Sequence, residues 1–342
     1  EAATGISDRG TLNISPDDFN PERVQIDAES NLLPDFDFPD VSVGAQLEDV
    51  TGVVGYSFGN FEIYPTQEFT VTGSDLEPET TTIEAGGESL TVASYNVLNL
   101  DPNDEDGEDT DVADGRFTAI AEQIVNNLNT PDVIGLQEIQ DNDGEVISDI
   151  SAADETLQTL VDAIAVAGGP TYEFIDTPGI VPAFENEAGE IVRPTGGAPG
   201  GNIRNAFLFN PERVNLVEGS VEPLTDPQDQ AENPDNPFFG SRIPLRATFE
   251  LNGEEVTVIN NHFSSKGGSS GILGLDQPFA ELQNGAKKGL PQEVLDNLPA
   301  ADRFVNGSYN EREAQAEAVK AYVDNLDADN IIALGDFNEF EF

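Results

Sequence analysis

The chain has 342 residues, 37% of them hydrophobic, enough for one large domain with a smaller companion and for a core that folds without staples. Cysteine is absent, which excludes disulfides, thiolate metal sites and cysteine nucleophiles; methionine is absent even at position 1, so a native start and any targeting segment are expected to lie outside these residues. Acids outnumber bases 66 to 14, for a formal net charge of −52, which reads as a solvated shell suited to high salt and, taken alone, argues against a nucleic-acid partner.

That argument weakens with ionic strength, because the screening length falls from about 10 Å at 0.1 M salt to about 3 Å at 1 M and leaves only local charge to matter. The local distribution is uneven: all four lysines (Lys266, Lys287, Lys288, Lys320) and Arg204, Arg242, Arg246, Arg303 and Arg312 fall in the second half of the chain. No run is apolar enough to span a membrane.

In chain order, residues 1–73 read as a small antiparallel β module, in which Val54, Tyr56 and Phe58 alternate, Gly59-Asn60 offers a turn, and Phe61 and Ile63 resume the alternation. Residues 74–88 have the Glu, Thr, Pro and Gly composition of a linker. From residue 89 onward strands and amphipathic helices alternate. Apolar runs at 90–95, 132–136, 205–209, 245–251, 256–261 and 330–334 predict strands. Helical spacing recurs through Phe117, Ile120, Ala121, Ile124, Val125 and Leu128, then through Leu157, Leu160, Val161 and Ile164, and again through Ala314, Ala318, Val319, Tyr322 and Val323. No helix separates the runs at 245–251 and 256–261, so the expected fold is an α/β sandwich of two mixed sheets flanked by helices. The segments 178–202, 219–240 and 266–304 are long for a compact domain and are expected to surround a cleft. There is no internal repeat.

Four of these strands end on polar residues: Ser94-Tyr95-Asn96-Val97, Leu136-Gln137-Glu138, Asn260-Asn261-His262-Phe263 and Leu334-Gly335-Asp336-Phe337-Asn338. Strand ends along one rim of a sheet are where an α/β fold gathers a site. Glu138 offers a hard carboxylate oxygen of the kind Mg²⁺ prefers, although taken alone a solvated strand-end glutamate reads equally well. Asn96 can bond that carboxylate or coordinate the ion, or serve as a plain turn former. His262 is the chain's only histidine, so any imidazole chemistry rests on it, and Lys266 in the flexible Ser264-Ser265-Lys266-Gly267-Gly268 can approach a phosphate. Asp336 and Asn338, two apart, would share one side of an extended strand end, with Phe337 packed opposite. Arg242, in Ser241-Arg242-Ile243-Pro244, is suited to a bidentate phosphate contact. The run 101–114 holds eight acids but misses the EF-hand pattern, because Pro102 stands where the first ligand should be; Asp141-Asn142-Asp143-Gly144 fails likewise at Ile139. A solvated acidic loop is the expectation for the first, with an irregular Ca²⁺ site as the minority reading.

In this order and spacing the four motifs resemble the endonuclease/exonuclease/phosphatase superfamily, and more closely its large secreted bacterial nucleases, over residues 88–342. The resemblance implies a divalent metal, Mg²⁺ with Mn²⁺ or Ca²⁺ as substitutes, held by Asn96 and Glu138. It also implies His262 as acid or phosphate contact, Asp336 and Asn338 orienting nucleophile and phosphate, and Arg242 as a phosphate ligand, with Arg204 and Lys266 as further phosphate contacts. Residues 36–66 look like the end of the OB-like module that precedes such nucleases. Two features depart from the pattern. A late Asp-His pair has no counterpart before Phe342, so the catalytic domain is expected to be truncated there. The carboxylate that orients the central histidine has no match either, since Ile203 stands near its place beside Arg204.

The expectation is a monomeric, secreted, metal-dependent phosphodiesterase that cuts DNA, and RNA as a second substrate, by in-line attack of water on phosphorus. Two alternatives stay open. One keeps the site and changes the substrate to a phospholipid headgroup or inositol phosphate; the other is a nonenzymatic acidic surface protein whose Tyr56, Phe58 and Phe61 stack on single strands.

Overall fold

The computed structural model describes residues 24–265 and 308–338, apart from 28–31, 34–35, 40, 43, 58–59, 74–75, 85, 108, 187–188 and 199. Lys266, the loop 266–304 and Phe58 therefore lie outside the described residues, as do the side chains of Tyr56 and Phe61. Two compact units divide the chain: among the described residues the first takes 24–78 with 265 and 308–310, and the second Glu79–Ser264 with Glu311–Asn338.

The first unit holds β1 (Gln25–Ile26), β2 (Gln46–Leu47), β3 (Gly52–Ser57), β4 (Asn60–Pro65) and β5 (Val71–Thr72). β3 and β4 form the expected antiparallel hairpin, with Val54 opposite Ile63. Asn60 belongs to β4 rather than to the turn, since it pairs with Ser57. The unit is not wholly antiparallel as expected: β1 joins β4 in parallel, while β2 and β5 make a separate antiparallel ladder. Phe36, Phe38 and Phe69 cluster with ring centroids 5.0–5.7 Å apart.

The second unit runs β6 (Val92–Leu100), α1 (Arg116–Asn126), β7 (Val133–Ile139), α2 (Asp154–Val166), β8 (Glu173–Asp176), β9 (Phe184–Glu185), β10 (Ile191–Val192), β11 (Arg204–Phe209), β12 (Asn215–Leu216), β13 (Glu222–Pro223), α3 (Pro227–Glu232), β14 (Leu245–Leu251), β15 (Glu254–His262), α4 (Tyr309–Asn325) and β16 (Ile331–Asp336). One sheet has the order β6-β7-β11-β8 and the other β12-β14-β15-β16, with β13 also on β14. Both are mixed: β6 and β7 run parallel, as do β15 and β16, and the remaining neighbours in these sheets are antiparallel. This is the expected α/β arrangement. The hairpin from β14 to β15 turns at Asn252-Gly253, both at positive φ (56° and 88°), as the twist of a two-residue hairpin requires.

Alternation along β7 and β11 sorts the core into two layers. Ile134, Leu136, Ala206 and Leu208 point to one side and pack with Phe117, Ile120 and Ile124 of α1 and Leu157, Leu160 and Ile164 of α2. Val133, Phe207 and Phe209 point to the other and meet Leu245, Ala247, Phe249 and Val258 of the second sheet, where Phe207 and Phe249 stack edge to face at 5.8 Å. The two sheets are thus held together by aromatic and branched side chains, and their strand ends share a rim.

Candidate active site

The rim is built where two parallel pairs end. In the register of β15 with β16, His262 lies opposite Asp336 and Asn261 opposite Gly335; in that of β6 with β7, Asn96 lies opposite Gln137, one residue before Glu138. Close approach of the sheets is set by glycine: a Cβ at Gly135 would stand 3.1 Å from Cγ of Asn260 and nearer still to Leu334. Gly335, at φ +131°, has the carbonyl of Asn261 where any Cβ would be, so only glycine brings β16 against β15 at this point.

Buried amides then lock the register. Gln137 donates from Nε2 to Oδ1 of Asn260 at 2.6 Å and to Gly135 O at 2.9 Å, and Asn260 donates from Nδ2 to Leu136 O and Ala206 O at 2.8 and 2.9 Å. Both side chains are buried, so the sheets are joined by polar contacts that water cannot replace. Asn261 fixes the other edge, donating to Leu334 O at 2.8 Å.

On this frame Asn96 donates from its amide nitrogen to Glu138 Oε1 at 2.9 Å and to Asp336 Oδ2 at 3.1 Å, while its own oxygen accepts from Leu98 N. His262 places Nε2 3.5 Å from Glu138 Oε1 and 3.9 Å from Asp336 Oδ2. Asp336 accepts from the Asn338 amide at 2.9 Å through its second oxygen. Glu138 and Asn338 adopt positive φ (63° and 52°), a costly conformation for residues with side chains and one that clusters at functional positions. Ligand atoms of Glu138, His262 and Asp336 all lie within 4.8 Å of one another. Two carboxylates drawn to one amide repel unless positive charge stands with them, and this oxygen-rich set fits a hard divalent cation.

Arg242 supplies part of that charge. It is buried, donates from Nη2 to Phe263 O, and interacts electrostatically with Glu138 and Asp336; burial nevertheless pulls it down to about 10. Burial, then the Arg242 charge, push His262 down to about 3 against the pull of Asp336. At that value the imidazole is neutral near pH 7, with its Nδ1 buried and without a hydrogen-bond partner among the described residues.

Asn96, Glu138, Arg242, His262, Asp336 and Asn338 are thus brought together. Asn96, expected as a metal ligand, here turns its nitrogen to the carboxylates and orients them. Arg204 requires correction: it is fully buried, with Nε on Asn202 O (3.0 Å) and Nη1 on Ser151 O and Asp176 (3.2 Å), so it braces the loop before β11, and its Nη2 is enclosed without a hydrogen-bond partner among the described residues. Sequence reasoning also missed Gln315 and Arg312 of α4. Gln315 accepts from Ser264 N at 2.9 Å and Arg312 donates to Ser264 O at 3.3 Å, which pins the segment leaving His262. Their spacing with Val319 marks one helix face, but two of its three members are polar and escape a hydrophobic pattern.

Residues 1–75 match the family described as "Domain of unknown function (DUF8508)". No curated protein matches the chain. Among solved structures it is similar to D. rerio TDP2 complexed with single strand DNA product, at 17% identity over 74% of this chain and 62% of that one, TM-score 0.36. It is similar also to an endonuclease/exonuclease/phosphatase family protein from Bacteroides thetaiotaomicron (19%, 74% and 64%, TM-score 0.39) and to a functionally unknown conserved protein from Enterococcus faecalis V583 (17%, 73% and 67%, TM-score 0.38). The chain spans less than two thirds of the first two. At such TM-scores these likenesses bear no weight; the side chains at the rim do.

Proposed function

We propose that this chain is a divalent-cation-dependent phosphodiesterase that hydrolyses DNA, and RNA as a second substrate, by in-line attack of water on phosphorus. One observation carries the reading: four strands from two sheets deliver Asn96, midway along β6, and Glu138, His262 and Asp336, at the ends of theirs, to a single point, with both carboxylates on one amide. Nucleic acid as the substrate rests on the motif resemblance, as does secretion, with which the thiol-free, acidic composition is compatible.

Glu138 and Asp336 would hold the ion, with Mg²⁺ the first choice for an oxygen-rich set and Mn²⁺ or Ca²⁺ as substitutes. When bound, the ion supplies Lewis acidity and a template for phosphate. Asn96 keeps the two carboxylates apart from competing partners and aimed inward. Asp336, gripped through one oxygen by Asn338 N, is placed to orient the attacking water. Arg242 would offer donors to the non-bridging oxygens, Asn338, whose Nδ2 donates to Phe263 O at 3.1 Å, would stand beside them, and the neutral His262 would donate to the oxygen that gathers charge as the ester bond breaks. A phosphate dianion or monoanion beside His262 would raise its basicity relative to the substrate-free state, because nearby negative charge favours the imidazolium.

The test is a substrate panel in Mg²⁺ with and without EDTA: supercoiled plasmid, single-stranded RNA, sphingomyelin vesicles and inositol phosphates. Plasmid nicking that EDTA abolishes supports the proposal. Turnover of sphingomyelin or inositol phosphate with intact plasmid would move the site to the other substrate class, and nucleic-acid binding without turnover would remove the enzymatic reading.

A further inference from the structure

The loop between β6 and α1 carries eight acids over residues 101–114, none of which serves the site above. Instead of spreading into solvent, part of it folds inward. Asp101 and Asp111 are each 1% exposed, and ligand oxygens of Asp101, Asp109 and Asp111 lie within 4.8 Å of one another. Hydrogen bonds occupy several of these oxygens: Asp101 Oδ1 accepts from Asn103 N at 2.8 Å, and Asp111 Oδ2 from Asp101 N at 3.1 Å. Asp101 Oδ2 is the exception, a buried carboxylate oxygen with no donor.

Gly144 closes the space from the far side. It sits at φ +65°, and a Cβ there would stand 2.7 Å from Asp101 Oδ1 and closer to Asp106 Oδ2, so Asp106 borders the same group. Asp106 Oδ2 accepts from Glu145 N at 2.9 Å, and for the trio Asp101, Asp109 and Asp111 the ion pairs among the described residues bring one cation, Arg116, 3.6 Å from Asp109 and nearer to Asp111. Its other terminal nitrogen is committed to the carbonyls of Val97 and Leu98. One guanidinium leaves the group with excess negative charge in a place where an unpaired carboxylate suffers its full desolvation.

We propose that Asp101, Asp109 and Asp111, with Asp106 alongside, form a Ca²⁺ site separate from the Glu138–Asp336 pair. Ca²⁺ takes six to eight oxygens at about 2.3–2.6 Å in flexible geometry, so oxygens across it stand up to about 5 Å apart, which suits an irregular loop better than the tight octahedron of Mg²⁺. The role is structural. Arg116 ties the loop to Val97 and Leu98, and the Leu98 amide bonds the Asn96 side chain, so the ion steadies the segment just past Asn96.

Equilibrium dialysis with radioactive calcium in 1 M KCl, which screens the acidic surface, tests this in an E138Q/D336N protein that lacks the first cation pair. The expected result is one saturable Ca²⁺ per chain, with affinity at least tenfold weaker in D109N and weaker still in D101N. Asp109 is partly exposed, so D109N should keep the parent's circular dichroism and its melting temperature in chelator. Absence of saturable Ca²⁺ binding in the folded E138Q/D336N protein, or D109N and D101N affinities less than tenfold weaker than the parent's, would overturn the site. Should E138Q/D336N not fold, D109N in the otherwise unaltered chain is expected to weaken one of the measured Ca²⁺ affinities at least tenfold, and unchanged affinities at every site overturn it equally. None of these outcomes depends on whether the chain cleaves phosphodiesters.

Discussion

Asn260→Ala separates the bridge between the sheets from the chemistry it supports. Asn260 is fully buried and makes three side-chain hydrogen bonds: it accepts from Gln137 Nε2 at 2.6 Å and donates to Leu136 O and Ala206 O at 2.8 and 2.9 Å. At about 1 kcal/mol net for each bond, truncation costs about 3 kcal/mol, with any cavity left behind adding to that. Because the bridge registers Gln137, and with it Glu138, against the strand that ends in His262, the folded fraction should also lose at least tenfold in metal-dependent hydrolysis. A urea titration followed by circular dichroism reads the first quantity from the midpoint shift at constant slope, and a plasmid assay on protein held well below that midpoint reads the second. A loss under about 1 kcal/mol with unchanged activity would refute the idea that this amide pair sets the geometry of the site.

Gly335→Ala should fail to give native protein at 25 °C, since its Cβ would fall on the Asn261 carbonyl and φ is +131°; a normal far-ultraviolet spectrum with a cooperative melt would contradict this. His262, as the chain's one imidazole, can be titrated by proton NMR without assignment: in EDTA it should stay neutral down to pH 5, and Arg242→Gln should raise its pKa, because burial is the larger cause of the depression and Arg242 the next. An observed value near 6.5 in the native protein would rule out the buried, Arg242-flanked environment. Asp141, raised to about 8 chiefly by burial, binds a proton in the folded state that the unfolded chain releases near 4, so stability should fall as pH rises from about 4 to about 8. In 1 M KCl, Asp141→Asn should flatten that decline in thermal melts, and an identical slope in both proteins would remove Asp141 as its source.

The candidate cluster was legible in part because Asn96, Glu138, His262 and Asp336 each follow a short apolar run, and a Glu, His or Asp at the end of a buried strand stands where core packing has no use for it; Arg242 closes no such run. Glycine carried part of that message: Gly335 in Leu334-Gly335-Asp336 reads as a turn residue, whereas its actual burden is the approach of β16 to β15. What stayed hidden depends on partners distant in sequence. Gln137 and Asn260 are 123 positions apart and meet through side-chain amides, which no periodicity reports. Arg204 looked like a phosphate ligand because its partner, Asp176, ends β8, a four-residue strand too short to stand out among polar neighbours. Asp101 and Asp111 looked solvated because charge runs usually are; only the fold turns them inward. In the N-terminal unit the β3–β4 hairpin followed from alternation, but a two-residue strand such as β1, paired in parallel, has no pattern to read.

The central claim, that Glu138 and His262 serve one cation-dependent phosphodiester site, is tested most directly by the rate of supercoiled plasmid nicking in Mg²⁺ for the parent protein, Glu138→Gln and His262→Ala. The account predicts nicking by the parent that EDTA stops and a fall of at least a hundredfold in each variant, the usual scale for loss of a general acid–base or charge-stabilising group. Parent-level nicking by either variant, with native circular dichroism, would contradict it.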